Sequence, residues 1–128
     1  METRPKSDTA PSIINIGLVG GGELCVELLR RTTFDYLQEG VNSPILAVAD
    51  SDPSSPGIIK AKELGLLTFE DYHDLYDPRY NIHLIIVLIP QKEIFKDILK
   101  TRPPRIRILS CQVFELFWQL VAQEENKL

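Results

Sequence analysis

The chain has 128 residues, 44% apolar and 25% charged, which fits one globular domain able to bury roughly two-thirds of its unfolded surface. A net charge of -4 gives no basic field for non-specific nucleic-acid binding, and no apolar run reaches membrane-spanning length. The two cysteines, Cys25 and Cys111, form no C-x-x-C pair and fit the reduced thiols of a cytoplasmic protein.

Residues 1–12 are polar, carry Pro5 and Pro11 and show no periodicity, as expected of a flexible tail. Ile13 to Val19 is a β-branched, almost wholly apolar run, the pattern of a strand buried on both faces of a sheet. Gly20, Gly21 and Gly22 break it. A helix follows from Leu24, with Leu28, Phe34, Val26, Leu29 and Leu37 as its apolar positions, Arg30 and Arg31 on its solvated face, and Gly40 at its C-terminal end. Ile45 to Ala49 is a second strand ending at Asp50, and the turn-rich stretch 51–57 leads to a short helix, Ile58 to Leu64, closed by Gly65. Leu66 to Thr68 forms a small third strand. Thr68-Phe69-Glu70-Asp71 fits a capping box for a helix through Leu75, which Asp77-Pro78 stops. Leu84 to Ile89 is a fourth, fully buried strand, and Pro90 suits the first turn of a helix from Gln91 to Lys100. Pro103 and Pro104 end that helix. Ile106 to Leu109 is a fifth strand, and Val113 to Glu125 is helical by pattern.

This alternation predicts an α/β fold, a Rossmann-like doubly wound parallel sheet of about five strands with helices on both faces. Right-handed crossovers place the second strand beside the first and the fourth on its other side, with a crevice at the switch point directly above the glycines. Residues 13–112 then form the domain, preceded by the tail and followed by an amphipathic C-terminal helix over 113–128.

Strand, glycine turn and helix give a glycine fingerprint a mechanism. Gly20 permits a tight turn, and Gly22 lets the backbone approach a pyrophosphate with no Cβ in the way. The helix start, with Gly21, Glu23 and Leu24, offers amides and about half a positive charge to the phosphates. Cys25 stands where a third glycine is usual. It has two uses, a packing residue or a thiol activated at a helix start, and the absence of a nearby histidine favours packing. Asp50 follows Gly20 by 30 residues, at the strand end where an acid accepts ribose hydroxyls; its other use is to cap the following turn. No arginine occurs in Ser51-Asp52-Pro53, so NAD is expected over NADP. Ile89 and Pro90 offer an apolar wall to a ribose or ring, or serve simply as core and helix start. His73 and His83 have no partner at metal-ligand spacing, and Ser110-Cys111 offers no nucleophile–base pair.

The stretches I-N-I-G-L-V-G-G-G, I-L-A-V-A-D-S-D-P and H-L-I-I-V-L-I-P resemble the N-terminal NAD-binding domain of aspartate and homoserine dehydrogenases. The glucose–fructose oxidoreductase family shares this layout. The resemblance spans Ile13 to Leu109 and implies pyrophosphate contacts at Gly20 and Gly22 and a ribose contact at Asp50. Those enzymes continue into a catalytic domain, one family through an E-K-P turn; here Ser110-Cys111-Gln112-Val113-Phe114 stands in its place. A closer likeness is to the Rossmann-like domains at the N-terminus of some bacterial sensor histidine kinases, which pass through a similar F-W segment into a signalling helix.

The expectation is therefore a non-catalytic sensory domain that binds NAD or a related adenine nucleotide, with signalling machinery downstream. A dehydrogenase fragment and a ligand-free scaffold that only dimerises are the alternatives. A symmetric dimer would use Val113, Phe117, Leu120 and Val121, a stripe on the final helix that Phe114, Leu116 and Trp118 widen.

Overall fold

Ile16–Val19 (β1) lies at the centre of a parallel sheet in a computed structural model that describes residues 14–39 and 43–127, with side chains over 14–33 and 43–120. Ile45–Ala49 (β2) pairs with one edge of β1 and Leu84–Val87 (β4) with the other, while Leu67–Phe69 (β3) and Arg107–Leu109 (β5) form the outer edges. The order β3-β2-β1-β4-β5 reverses at β1. Strands running one way from β1 and then back across it are the Rossmann-like doubly wound arrangement, and the reversal opens a crevice at the strand ends.

Alternation along the strands divides the core between two faces. Leu18, Val48 and Ile86 point to one face, where they meet Cys25, Leu28 and Leu29 of Glu23–Glu39 (α1) and Ile58 and Ala61 of Pro56–Glu63 (α2). Val19, Ala49, Ile85 and Val87 point to the other, against Leu75 of the 3-10 segment Tyr72–Tyr76 and Ile98 of Lys92–Thr101 (α3). Each fully buried Leu or Ile contributes about 1.5–3 kcal/mol relative to an exposed one, so this double burial accounts for the near-continuous apolar runs of β1 and β4. Gly17 leaves room for Leu75, whose Cδ2 would stand 3.2 Å from an added Cβ.

Several element boundaries differ from expectation, each for a local reason. The first strand starts at Ile16, because the Asn15 amide donates to His83 Nδ1 at 3.0 Å and the Asn15 side chain to the Asn81 carbonyl at 2.9 Å. Ladder pairing of the fourth strand stops at Val87, opposite Val19, the last residue of its neighbour. Thr68 caps nothing: it pairs with Val48 inside the sheet, and β3 runs to Phe69. Asp71 caps instead, accepting from the His73 amide at 2.9 Å, and the segment it starts is a 3-10 turn rather than an α-helix. The second helix begins at Pro56, at the first helical position, where a missing N–H costs nothing. Pro90 precedes the Gln91 cap of α3 and so lies outside its first turn.

The final helix, Cys111–Lys127 (α4), begins earlier than Val113, and Ser110 Oγ accepts from the Val113 amide at 3.2 Å. Cys111 and Phe114 face inward, and Trp118 stacks on Phe114 with ring centroids 5.7 Å apart. The Arg31 guanidinium of α1 lies 5.8 Å from the Trp118 ring. Val113, Leu116, Phe117 and Leu120 are exposed, so the apolar surface divides into a packed face and an open one. Residues 1–12, Ile13, Gly40 and the side chains of Phe34, Leu37 and Val121 lie outside the described residues.

Candidate functional site

The three glycines differ in what they permit. Gly20 adopts φ of +114°, a conformation that L side chains rarely take, and a Cβ there would meet Ile89 Cγ1 at 2.6 Å. Gly21 is buried: an added Cβ would overlap Ser55 Oγ and stand 3.1 Å from Asp50 Oδ2. Nothing lies within 4 Å of a Cβ on Gly22. Gly22 opens α1, its carbonyl accepting from the Val26 amide at 3.2 Å, and the amides that follow have no acceptor within the helix. Glu23 is exposed and its carboxylate opposes an anion, so only its amide suits a phosphate. Leu24 is half-buried against the core.

Of the two uses expected of Asp50, its hydrogen bonds fill the turn-capping one and add a second bond, to the glycine turn. Its Oδ1 accepts from the Asp52 amide at 2.8 Å and its Oδ2 from the Gly21 amide at 2.6 Å. The acid therefore ties the end of β2 to the glycine turn. A carboxylate has about four lone-pair sites, so two remain for hydroxyl donors. The α2 start completes the junction: the Gly57 amide donates to the Gly21 carbonyl at 2.6 Å, and the buried Ser55 hydroxyl has no partner among the described residues.

Beside Asp50, a crevice of about 400 Å³ opens over the strand ends, lined by Val19, Asp50, Ser51, Tyr72, Ile89 and Ile94 among others. Asp50, Ser51 and Ile89 are thus brought together, with the glycine turn joined to them through Gly21. Pro90 is not among them. It lines a separate cavity of about 340 Å³ with Lys92, Lys96 and Ser110. Glu70, Asp71, Tyr72, Gln91 and Ile94 also line the first crevice and carried no sequence signal of this role. Its three carboxylates, Asp50, Glu70 and Asp71, repel a 2′-phosphate, and its apolar wall suits a flat ring.

His73 sits at the rim, its Nδ1 2.6 Å from Asp71 Oδ1 and its Nε2 2.9 Å from Asp97 Oδ2. The Tyr72 hydroxyl donates to the same Asp97 oxygen, which holds the Asp97 carboxyl below its ordinary range. Sequence alone paired His73 with nothing, because Asp97 is 24 residues away. His83 is structural, bonded to Asn15 at the foot of the sheet. No group of three His, Cys, Asp or Glu residues suited to a metal occurs among the described residues. Cys25 is buried, and its thiol is pushed up to about 12 by desolvation and by the Asp50 charge, so it packs rather than reacts. Cys111 is also raised, by desolvation and by Glu115.

No protein-family model matches the chain, and no curated protein matches it. Three features of the residues present fit an NAD-type group: an unobstructed Gly22 at a helix start, two acceptor sites left on a fixed Asp50, and an open crevice beside it.

Proposed function

We propose that this chain is a non-catalytic regulatory domain that binds NAD or a related adenine nucleotide at the switch point of its sheet. The observation that carries the reading is the Asp50–Gly21 bond at the head of the open crevice. It holds the acid and the glycine turn in register before any ligand arrives, and preorganisation of this kind lowers the cost of binding. Asp50 would accept the ribose hydroxyls, Ser51 and Ile89 would flank the adenosine, and the Gly22, Glu23 and Leu24 amides would face the phosphates. Bound nucleotide would neutralise the positive end of α1.

Output through the final helix is supported by the contact between α1 and α4. Helix α1 begins at the glycine turn and carries Arg31, which lies over Trp118. A ligand shifts such a contact only as far as it prefers one arrangement of the helices.

Melting temperature with NAD, NADH and NADP tests the reading. A ligand at 100 times its dissociation constant adds about 2.7 kcal/mol of stability. NAD should raise the melting temperature and NADP should not; no shift with any of them overturns the proposal.

A second reading, a module that dimerises, is favoured by the exposed row Val113, Leu116, Phe117 and Leu120. A double substitution, Phe117→Glu with Leu120→Glu, should convert a sedimenting dimer to monomer. An unchanged sedimentation coefficient dismisses that surface.

A further inference from the structure

The crevice has two walls from distant parts of the chain. Glu70, Asp71 and Tyr72, after β3, form one; Gln91 and Ile94, at the entry to α3, form the other. Three side chains of the Tyr72–Tyr76 segment reach α3: the Tyr72 hydroxyl at Asp97, the Tyr76 hydroxyl 2.7 Å from Thr101 Oγ1, and the His73 imidazole. His73 directs Nδ1 at Asp71 Oδ1 and Nε2 at Asp97 Oδ2, and Asp97 lies one turn beyond Ile94 on α3. Tyr72, next to His73, adds its hydroxyl to the same Asp97 oxygen.

A carboxylate oxygen only accepts, so both contacts are hydrogen bonds only when both ring nitrogens carry protons. That species is the imidazolium. A neutral ring keeps one N–H and turns a lone pair on its other nitrogen toward a carboxylate. The groups facing the ring are Asp71 and the Tyr72 and Tyr76 rings from its own segment, at centroid distances of 4.4 and 5.5 Å for the two tyrosines, and Asp97 from α3. Lys100, one turn further along α3, faces Asp97 rather than the ring. Burial works against the charged form, but the hydrogen bonds to Asp71 and Asp97 and their charges outweigh it, and the pKa of His73 lies above its ordinary value.

We infer that His73 is a proton-operated clamp on the crevice: the imidazolium ties the Asp71–Tyr72 wall to α3, and loss of its proton slackens the tie and weakens nucleotide binding. The ligand half of this inference rests on the nucleotide reading of the crevice. A ligand that prefers the tied crevice takes up a proton on binding, so its affinity falls as pH rises through the His73 pKa.

Proton NMR of the whole chain between pH 5 and 9 tests it. The His73 ring should titrate above 6.5, and the amides of 70–72 and 91–94 should follow the same curve. In Asp97→Asn the ring should titrate lower and 91–94 should stop following. Calorimetry should find NAD binding about two- to tenfold weaker at pH 8.5 than at pH 6, with the difference lost in His73→Gln. Amides of 91–94 that ignore the ring's titration overturn the clamp, as does an equal pH dependence in His73→Gln. Absence of NAD binding at every pH overturns the nucleotide reading and the ligand half with it, and the amide titration then decides the tie alone.

Discussion

The Gly57 amide donates to the Gly21 carbonyl at 2.6 Å, so the starts of α1 and α2 touch backbone to backbone. A Cβ on Gly57 would stand 2.7 Å from Gly21 Cα and 2.7 Å from Cys25 Sγ. Backbone cannot yield as a side-chain tip can, and overpacking of this kind costs about 1–3 kcal/mol. Gly57→Ala should therefore lower the urea midpoint by an amount in that range. An unchanged midpoint would mean that the two helix starts are not in contact.

Gly22→Ala makes the complementary case. An added methyl there meets nothing, and Gly22 has no positive φ, so stability should change by about 0.5 kcal/mol or less. The same methyl would stand where a pyrophosphate approaches. Calorimetry should show NAD affinity falling at least tenfold while the melting temperature of the free protein holds. Loss of both together would show that the residue serves the fold and not a ligand.

Asp50→Asn probes the junction from its acid side. An asparagine presents one acceptor oxygen, so either the Gly21 or the Asp52 amide loses its partner. An unsatisfied buried donor costs about 1–3 kcal/mol, and partial exposure of this site favours the low end. Urea denaturation should show the loss, and NAD binding should weaken beyond it because the acid proposed to accept the ribose hydroxyls has lost its charge. Full stability in the variant would contradict the tie between β2 and the glycine turn.

The thiol of Cys25 should be inert. With its pKa pushed up to about 12, almost none is thiolate at pH 8, although the residue lies at the start of a helix. Iodoacetamide should alkylate it only on unfolding, as read by peptide mass. Rapid labelling of the native chain would contradict its burial against Gly57.

Stability should decline on both sides of a neutral plateau. The Asp52 carboxyl is held low by the Ser54 hydroxyl and amide, Asp77 by the Arg79 amide and side chain, and Asp97 by Tyr72. Lowered acids stabilise the fold above their ordinary value of 3.8, and that contribution is lost as pH falls through the folded values. The raised His73 works in the opposite sense. Its contribution is whole below 6.5 and is lost as pH rises through its folded pKa. Urea midpoints from pH 3 to 9 should show both declines, and His73→Gln should abolish the upper one and lessen the lower one, because His73 also helps hold Asp71 and Asp97 low. Persistence of the upper decline in that variant would place its origin elsewhere.

The sheet could be read directly because β1 and β4 are apolar at nearly every position, as burial on two faces requires. Asp50 was equally visible, since an acid closing a buried strand has few uses. Its bond to Gly21 was not, because the two are 29 residues apart and meet only when β1 and β2 pair. The Thr68 box misled for a related reason: a capping pattern is local, whereas Thr68 had already been taken by the ladder with Val48. His73 and Asp97 could not be matched without the fold that brings α3 over the Tyr72–Tyr76 turn. Pro56 was a missed signal within reach, since Pro is favoured at the first position of a helix.

Amide NMR mapping of an NAD titration tests the nucleotide site most directly. The account predicts the largest shifts at Gly20, Gly21, Gly22, Asp50 and Ser51, with smaller ones at Ile89. Shifts confined to the Lys92–Lys96 cavity, or none at millimolar NAD, would contradict it.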